Sequence, residues 1–138
     1  MTETSIAPNI SGMDIPMDAW TQPFWDAAAV GRLLVPRCAD CGCFRWPPGP
    51  FCPDCQSQRT DWVPAGPASL YTYTILRGRE EGAAPVVPGL AEFPEAGGIR
   101  IPAAIVDTPL SALRIGAALS LGWSQAANAR VPVFKVDD

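Results

Sequence analysis

The chain has 138 residues, with ten Lys and Arg against fourteen Asp and Glu, a formal net charge of −4. That length holds one domain or two small modules, and 48% hydrophobic against 17% charged residues describes a folding chain rather than a disordered one. There is no histidine, which excludes Ser-His and Cys-His nucleophile pairs and histidine metal sites, while sixteen prolines disfavour a helical bundle.

Residues 1–17 are polar, small and proline-punctuated, and read as a flexible arm. Glu3, Asp14 and Asp18 with no basic stretch and no apolar run do not make a secretory signal, and no stretch is apolar for long enough to span a membrane, so a cytoplasmic protein is expected. Thr21-Gln22-Pro23-Phe24-Trp25-Asp26 reads as a helix start. Thr21 is the expected cap, Pro23 sits in the first turn, Asp26 favours the N-terminal dipole, and Gly31 is the expected stop. Trp20, Phe24 and Trp25 put three large rings on a helix too short to bury them all, so they serve either a small core or a partner surface.

From residue 63 the texture turns to β. Residues 68–76 form a strand with Tyr71 and Tyr73 alternating with threonines, followed by a polar loop over 77–87. A strand over 88–94 is weakened by Pro88 and Gly89. The strand over 99–106 is clearer, with Pro102 marking an edge or bulge. A helical turn over 108–114, closed by Gly116, precedes two last strands over 117–124 and 130–136. Five strands with a helical turn between the third and fourth follow the order of an OB barrel, and a five-stranded sandwich gives a similar string.

The strongest signal is the pair of motifs Cys38-Ala39-Asp40-Cys41 and Cys52-Pro53-Asp54-Cys55, ten residues apart. A CxxC turn aims two thiolates at one point, and two such turns complete a tetrahedron of soft ligands, which selects zinc ahead of iron. The iron alternative is further disfavoured because the second pair continues to Gln56 rather than glycine. Four thiolates leave no open position, so the metal is structural rather than catalytic, and Arg37 and Arg45 are placed to soften the centre's negative charge. Cys43, the fifth cysteine, has no histidine to activate it and reads as an inert thiol.

Charge is uneven. Residues 32–79 carry six arginines and three aspartates, a net +3, and the rest of the chain a net −7. A basic stretch in an acidic protein suits an anionic small ligand or an acidic partner surface, or offsets the metal site. Glu80-Glu81 and Asp137-Asp138 are solvated surface charges rather than a paired-carboxylate site.

Residues 21–65 run from a helix bearing Phe24-Trp25 through Gly31-Arg32-Leu33, R-C-x-x-C-G, a proline-rich turn, C-P-x-C and Trp62-Val63. This order resembles the acyl-CoA-associated OB-fold proteins with an N-terminal rubredoxin-like zinc ribbon. Leu70-Tyr71-Thr72-Tyr73-Thr74 is similar to that family's first barrel strand, and Ala112-Leu113-Arg114-Ile115-Gly116 to its turn into the fourth. The resemblance covers residues 18–138 and is loosest between 84 and 100. It implies a mainly β chain: a helix and four-cysteine zinc ribbon over 18–64, then a five-stranded OB-fold domain over 65–138.

It also implies an accessory role. Such proteins accompany thiolase-fold catalytic subunits in hetero-oligomers acting on acyl-CoA, among them thiolases, acetyltransferases and retro-aldol lyases of steroid side-chain degradation. The chemistry then lies in the partner, in keeping with the absence here of any triad, open metal or paired carboxylates. If acyl-CoA binds, Arg45, Arg59, Arg77 and Arg79 are by residue type the candidates for its phosphates. Trp20, Phe24, Trp25, Tyr71 and Tyr73 are the candidate partner contacts. A nucleic-acid module, with Trp46 or Tyr71 stacking bases, is the competing class, and the acidic balance with a single lysine argues against it.

Overall fold

The structure, a computed structural model, describes residues 3–138, so the first two residues of the expected arm lie outside the described residues. Two stretches of that arm are tied to the barrel. Ser5 donates its N–H to Thr108 O at 2.9 Å and accepts from Asp107 N–H at 2.8 Å, while Ile6 N–H reaches Pro85 O at 3.0 Å. Further along, Ile15 exchanges two bonds with the Asn128 side chain, at 2.8 and 2.9 Å. Residues 3–6 form a strap whose backbone groups are paired with barrel loops, and Ser5 is fully buried.

Helix α1 spans Gln22–Ala29 with Pro23 in its first turn, as expected. The cap differs. Thr21 makes no side-chain cap bond; instead Asp18 Oδ1 accepts from the N–H groups of Trp20 and Thr21 at 2.9 and 2.8 Å, tightening the turn ahead of the helix. Asp26 lies beyond the first turn and accepts from Gln22 Nε2 at 2.8 Å. At the other end Gly31 N–H bonds Ala28 O and Arg32 N–H bonds Ala27 O, both at 2.9 Å, with Gly31 at φ 76°. This two-bond closure needs a left-handed residue, which is why the helix stops there.

The ribbon strands β1 (Leu34–Cys38) and β2 (Thr60–Pro64) pair antiparallel, Leu34 opposite Pro64 and Cys38 opposite Thr60. Five further strands follow: β3 (Ala68–Tyr73), β4 (Val87–Phe93), β5 (Ile99–Ile105), β6 (Ala118–Gln125) and β7 (Arg130–Val136). They close into a barrel in the order β3-β4-β5-β7-β6, with a single-turn helix at Leu110–Ala112 between β5 and β6. Closure, which a sandwich lacks, and this strand order settle the OB architecture.

Two seams complete the barrel: β5 runs parallel to β7 at Ala104–Val133 and Ile105–Phe134, and β3 pairs antiparallel with β6 at Ala68–Leu119 and Ser69–Ala118. Pro102, exposed, sits on β5 before the β7 seam begins, where its missing N–H breaks no bond. Gly89 does not end β4. A Cβ there would stand 2.9 Å from Thr72 O and 3.2 Å from Ile105, so glycine lets the strand pass close to its neighbours.

Inward positions alternate along the strands, placing Leu70, Val87, Ala91, Phe93, Ile101, Ile105, Phe134 and Val136 in one core. The Phe93 and Phe134 rings meet edge-on with centroids 6.0 Å apart. Val35 of β1 and Ala65 after β2 belong to the same core, so the ribbon strands pack directly on the barrel.

The strap is tied to this core through Thr108. Its N–H donates to Ser5 Oγ at 3.2 Å, and its hydroxyl donates to Val106 O at 2.8 Å and accepts from Val136 N–H at 3.2 Å. Thr108→Val keeps the volume and strands Val136 N–H, so it is expected to lower stability by about 1–3 kcal/mol in urea unfolding of the zinc-loaded chain.

Candidate metal centre

Cys38 closes β1, and its N–H donates to Cys43 O at 2.8 Å while its carbonyl accepts from Gly42 N–H at 2.9 Å. The second turn repeats the pattern: Cys52 N–H donates to Ser57 O and Cys52 O accepts from Gln56 N–H, both at 2.9 Å. In each turn the fourth residue after the first cysteine is left-handed, Gly42 at φ 80° and Gln56 at φ 65°. The residue that weakened the iron reading is thus a glycine substitute that adopts a conformation glycine takes without strain.

The two turns bring Cys38, Cys41, Cys52 and Cys55 together with all four Sγ atoms within 4.8 Å of one another. Cys38 and Cys55 lie 3.6 Å apart and Cys41 and Cys52 3.5 Å apart. A tetrahedral zinc with Zn–S near 2.3 Å needs S···S of about 3.8 Å, so the cluster fits the ion, and these gaps are far too long for a disulfide. The first cysteine of each pair is buried and the second exposed.

Proton affinity splits the same way. The Cys41 N–H, against the effect of burial, lowers Cys38 to about 6. Cys52 is lowered by the Cys55 N–H in the same manner. Cys41 receives the Cys43 N–H, but burial and protons shared with Cys52, Cys55 and Cys38 push it up to about 12. Cys55 receives the Ser57 N–H and is nonetheless raised, by the proton it shares with Cys38 and by burial. Turn N–H groups thus stabilise one thiolate per turn before any metal arrives. Cys43 is raised by burial, donates to Phe44 O at 3.3 Å and lies outside the cluster.

The four candidate phosphate arginines do not converge. Arg45 is buried, its Nη2 held by Gly49 O at 2.9 Å and Thr60 Oγ1 at 2.6 Å. Arg59 pairs with Asp40 at 2.8 Å, and Arg77 pairs with Glu3 of the strap. Arg79 is exposed in the β3–β4 loop. Arg45 and Arg77 line separate cavities, neither of which includes a second arginine of the set.

Of the candidate partner contacts, Phe24 is only 4% exposed, enclosed by Trp25 and Trp46 with ring centroids 4.9 and 5.1 Å away, so it serves the core. Trp25 and Tyr73 are half-buried, and Trp20 is exposed. Tyr71, turned out by a register shift in β3, is stacked beneath Arg100 at 3.6 Å, and Arg100 pairs with Glu92 at 2.9 Å. No helix is long and apolar enough to cross a membrane among the described residues.

Two family profiles match in succession: the ChsH2 rubredoxin-like zinc ribbon domain over residues 25–61 and the ChsH2 C-terminal OB-fold domain over residues 62–124. A solved chain described as Ltp2-ChsH2(DUF35) aldolase is similar at 31% identity and a TM-score of 0.78, covering 89% of this chain and 98% of that one. A DUF35-family structure of unknown function from Sulfolobus solfataricus shares the fold at 19% identity and a TM-score of 0.64, over 88% of this chain and 85% of that one. A Thermomonospora curvata protein named as a probable enoyl-CoA hydratase alpha subunit is 36% identical over 81% of this chain, which spans only 36% of that protein's length. The chain belongs to the ChsH2 zinc-ribbon and OB-fold family.

Two outcomes follow from the knuckle geometry. Cys38 and Cys52 are the lowered thiols and Cys41 and Cys55 the raised ones, so zinc binding near pH 8 displaces the protons of Cys41 and Cys55, and the number climbs as pH falls through about 6, where Cys38 takes up its own. Zinc affinity therefore falls as pH drops, more steeply in the acid range; calorimetry in buffers of different ionisation enthalpy reads the proton count. Gln56→Gly relieves the left-handed φ and is expected to stabilise the zinc-loaded chain by about 1 kcal/mol in thermal unfolding.

Proposed function

We propose that this chain is a non-catalytic accessory subunit of a thiolase-fold enzyme acting on acyl-CoA, of the carbon–carbon lyase type. The observation that carries the reading is the likeness, over 98% of its length, to a chain of the Ltp2-ChsH2(DUF35) aldolase. The relative named as a hydratase alpha subunit supports acyl-CoA thioesters as the substrate class.

The chain's own chemistry agrees. Its metal set is closed, and a tetrahedral four-thiolate zinc holds no water for substrate to displace. The zinc's contribution here is folding free energy, which ties β1 to the loop carrying the second knuckle. In the retro-aldol reaction a base of the partner takes the hydroxyl proton of a β-hydroxyacyl-CoA. The Cα–Cβ bond then breaks, and the thioester stabilises the departing enolate. The substrate we favour within this class carries a steroid side chain. We assign the acyl-CoA site to the catalytic subunit, because the arginines suited to CoA phosphates stand apart on this one: Arg59 and Arg77 each pair with a carboxylate, and Arg45 and Arg77 line separate cavities.

The test is affinity capture of the tagged full-length chain from its source cells, with bound proteins identified by mass spectrometry and the pair assayed on β-hydroxyacyl-CoA esters. We expect a stoichiometric thiolase-fold partner and cleavage by the pair. A partner that transfers acyl groups instead of cleaving assigns a thiolase or acetyltransferase complex. Recovery of nucleic acid in place of a catalytic subunit overturns the reading.

A further inference from the structure

Arg45 is more than nine-tenths buried, and its guanidinium is only partly satisfied. Nη2 donates to Gly49 O and Thr60 Oγ1, whereas Nε and Nη1 have no partner. Three of the five guanidinium N–H bonds therefore lack an acceptor. No hydrogen bond among the described residues joins Arg45 to a cysteine sulfur or to a carboxylate. A guanidinium cannot discharge itself by losing a proton, so one buried with donors unmet carries a desolvation cost that a hydrogen-bonding anion would offset.

Arg45 also lines a cavity of about 350 Å³ on the ribbon, walled by Trp20, Pro50 and Trp62, with Gln58 and Thr60 at its edge. Arg45 is the sole charged residue of that lining. In that wall Trp20 is 43% exposed, a large ring left in water beside an unmet cation. One fixed positive charge matches one negative charge; a phosphate, more highly charged, calls for several donors and cations. Aromatic and proline walls suit the methylene part of an acidic side chain, and exposed aromatics around a deep charged anchor are the composition of a protein-binding hot spot.

We propose that this cavity receives an aspartate or glutamate side chain of a protein partner, its carboxylate on Arg45 and its stem between Trp20 and Trp62. The inference rests on the subunit reading for its biological partner. It assigns to the ribbon, and not to the barrel, the charged anchor of that contact, with Trp20 moving aside to admit the carboxylate.

The experiment uses the isolated, zinc-loaded full chain, so its result is independent of which catalytic subunit is captured. Nitrogen-15 correlation spectra record the Arg45 Nε–H and the indole N–H signals of Trp20 and Trp62. The probes are blocked glutamate, blocked glutamine and inorganic phosphate. Blocked glutamate is expected to shift all three signals together and saturably, in the millimolar range, and the isosteric amide to leave them in place. Trp20→Ala, at an exposed position outside the core, is expected to keep the spectrum of the folded chain and weaken the glutamate effect several-fold. Unmoved signals with glutamate would reduce Arg45 to a brace for Gly49 and Thr60 and overturn the proposal. Equal shifts with glutamine also overturn it, as does tighter binding of phosphate, which would point to a small anionic ligand in place of a partner side chain.

Discussion

Four sulfurs must meet at one point, and the ribbon is built around that requirement. Its two strands of five residues, β1 and β2, are too short to stand alone as an isolated hairpin. Two further ties make up the difference. One is the metal, gripped by backbone turns that already favour thiolate at Cys38 and Cys52. The other is Val35, pointing from β1 into the barrel core that Leu70, Phe93 and Phe134 fill. Cys38 ends the strand that Val35 anchors, so the position of the metal is referred directly to the barrel. The centre is therefore structural in two senses: it folds the ribbon, and it fixes where the ribbon's outer face stands.

The parts of this design that rest on local chemistry were legible in the sequence. CxxC spacing located the ligands, the Tyr–Thr alternation located β3, and Gly31 located the helix end, because a left-handed turn residue leaves a chemical trace. The family resemblance was needed to choose barrel over sandwich, since closure depends on seams of two residue pairs each and strand patterns do not encode them. What escaped was non-local. Ser5 is held by Thr108, 103 residues away, and a short polar N-terminal segment carries no mark of such a partner. Asp18 displaced Thr21 as the turn-closing side chain because both are good acceptors and only the backbone path decides between them. Gln56 gave no sign of its left-handed φ; the repeated Cys-x-x-Cys-x geometry of the first knuckle, which has Gly42 there, was the available clue.

Charge taught the opposite lesson. A net +3 over residues 32–79 suggested a common surface for an anion, and the structure shows the arginines used one at a time. Arg59 answers Asp40, Arg77 answers Glu3 of the strap, and Arg37 lies 5.9 Å over the Phe44 ring. Exposed pairs of this kind are worth little individually, so they neither stabilise the fold greatly nor leave a field for phosphates. Composition counts charges, but whether they act together is decided by where each one finds its partner.

Arg45 is the exception that this accounting exposes. Most of its neighbours in the sequence are satisfied, and it alone among the ribbon arginines is buried with donors unmet, beside a ring that remains in water. Among the described residues no other buried side-chain nitrogen or oxygen lacks a partner, so Arg45 keeps its open donors either for another molecule to complete or at a cost that its two bonds to the Gly49 and Thr60 segments offset. Those two bonds join the proline-rich turn to β2, and each, from a charged donor to a neutral acceptor, contributes about 1.5–3 kcal/mol. Burying a guanidinium with three open N–H groups costs several kcal/mol. The brace is of the same order as that cost and still leaves Nε and Nη1 without acceptors, which is what an incoming carboxylate would supply.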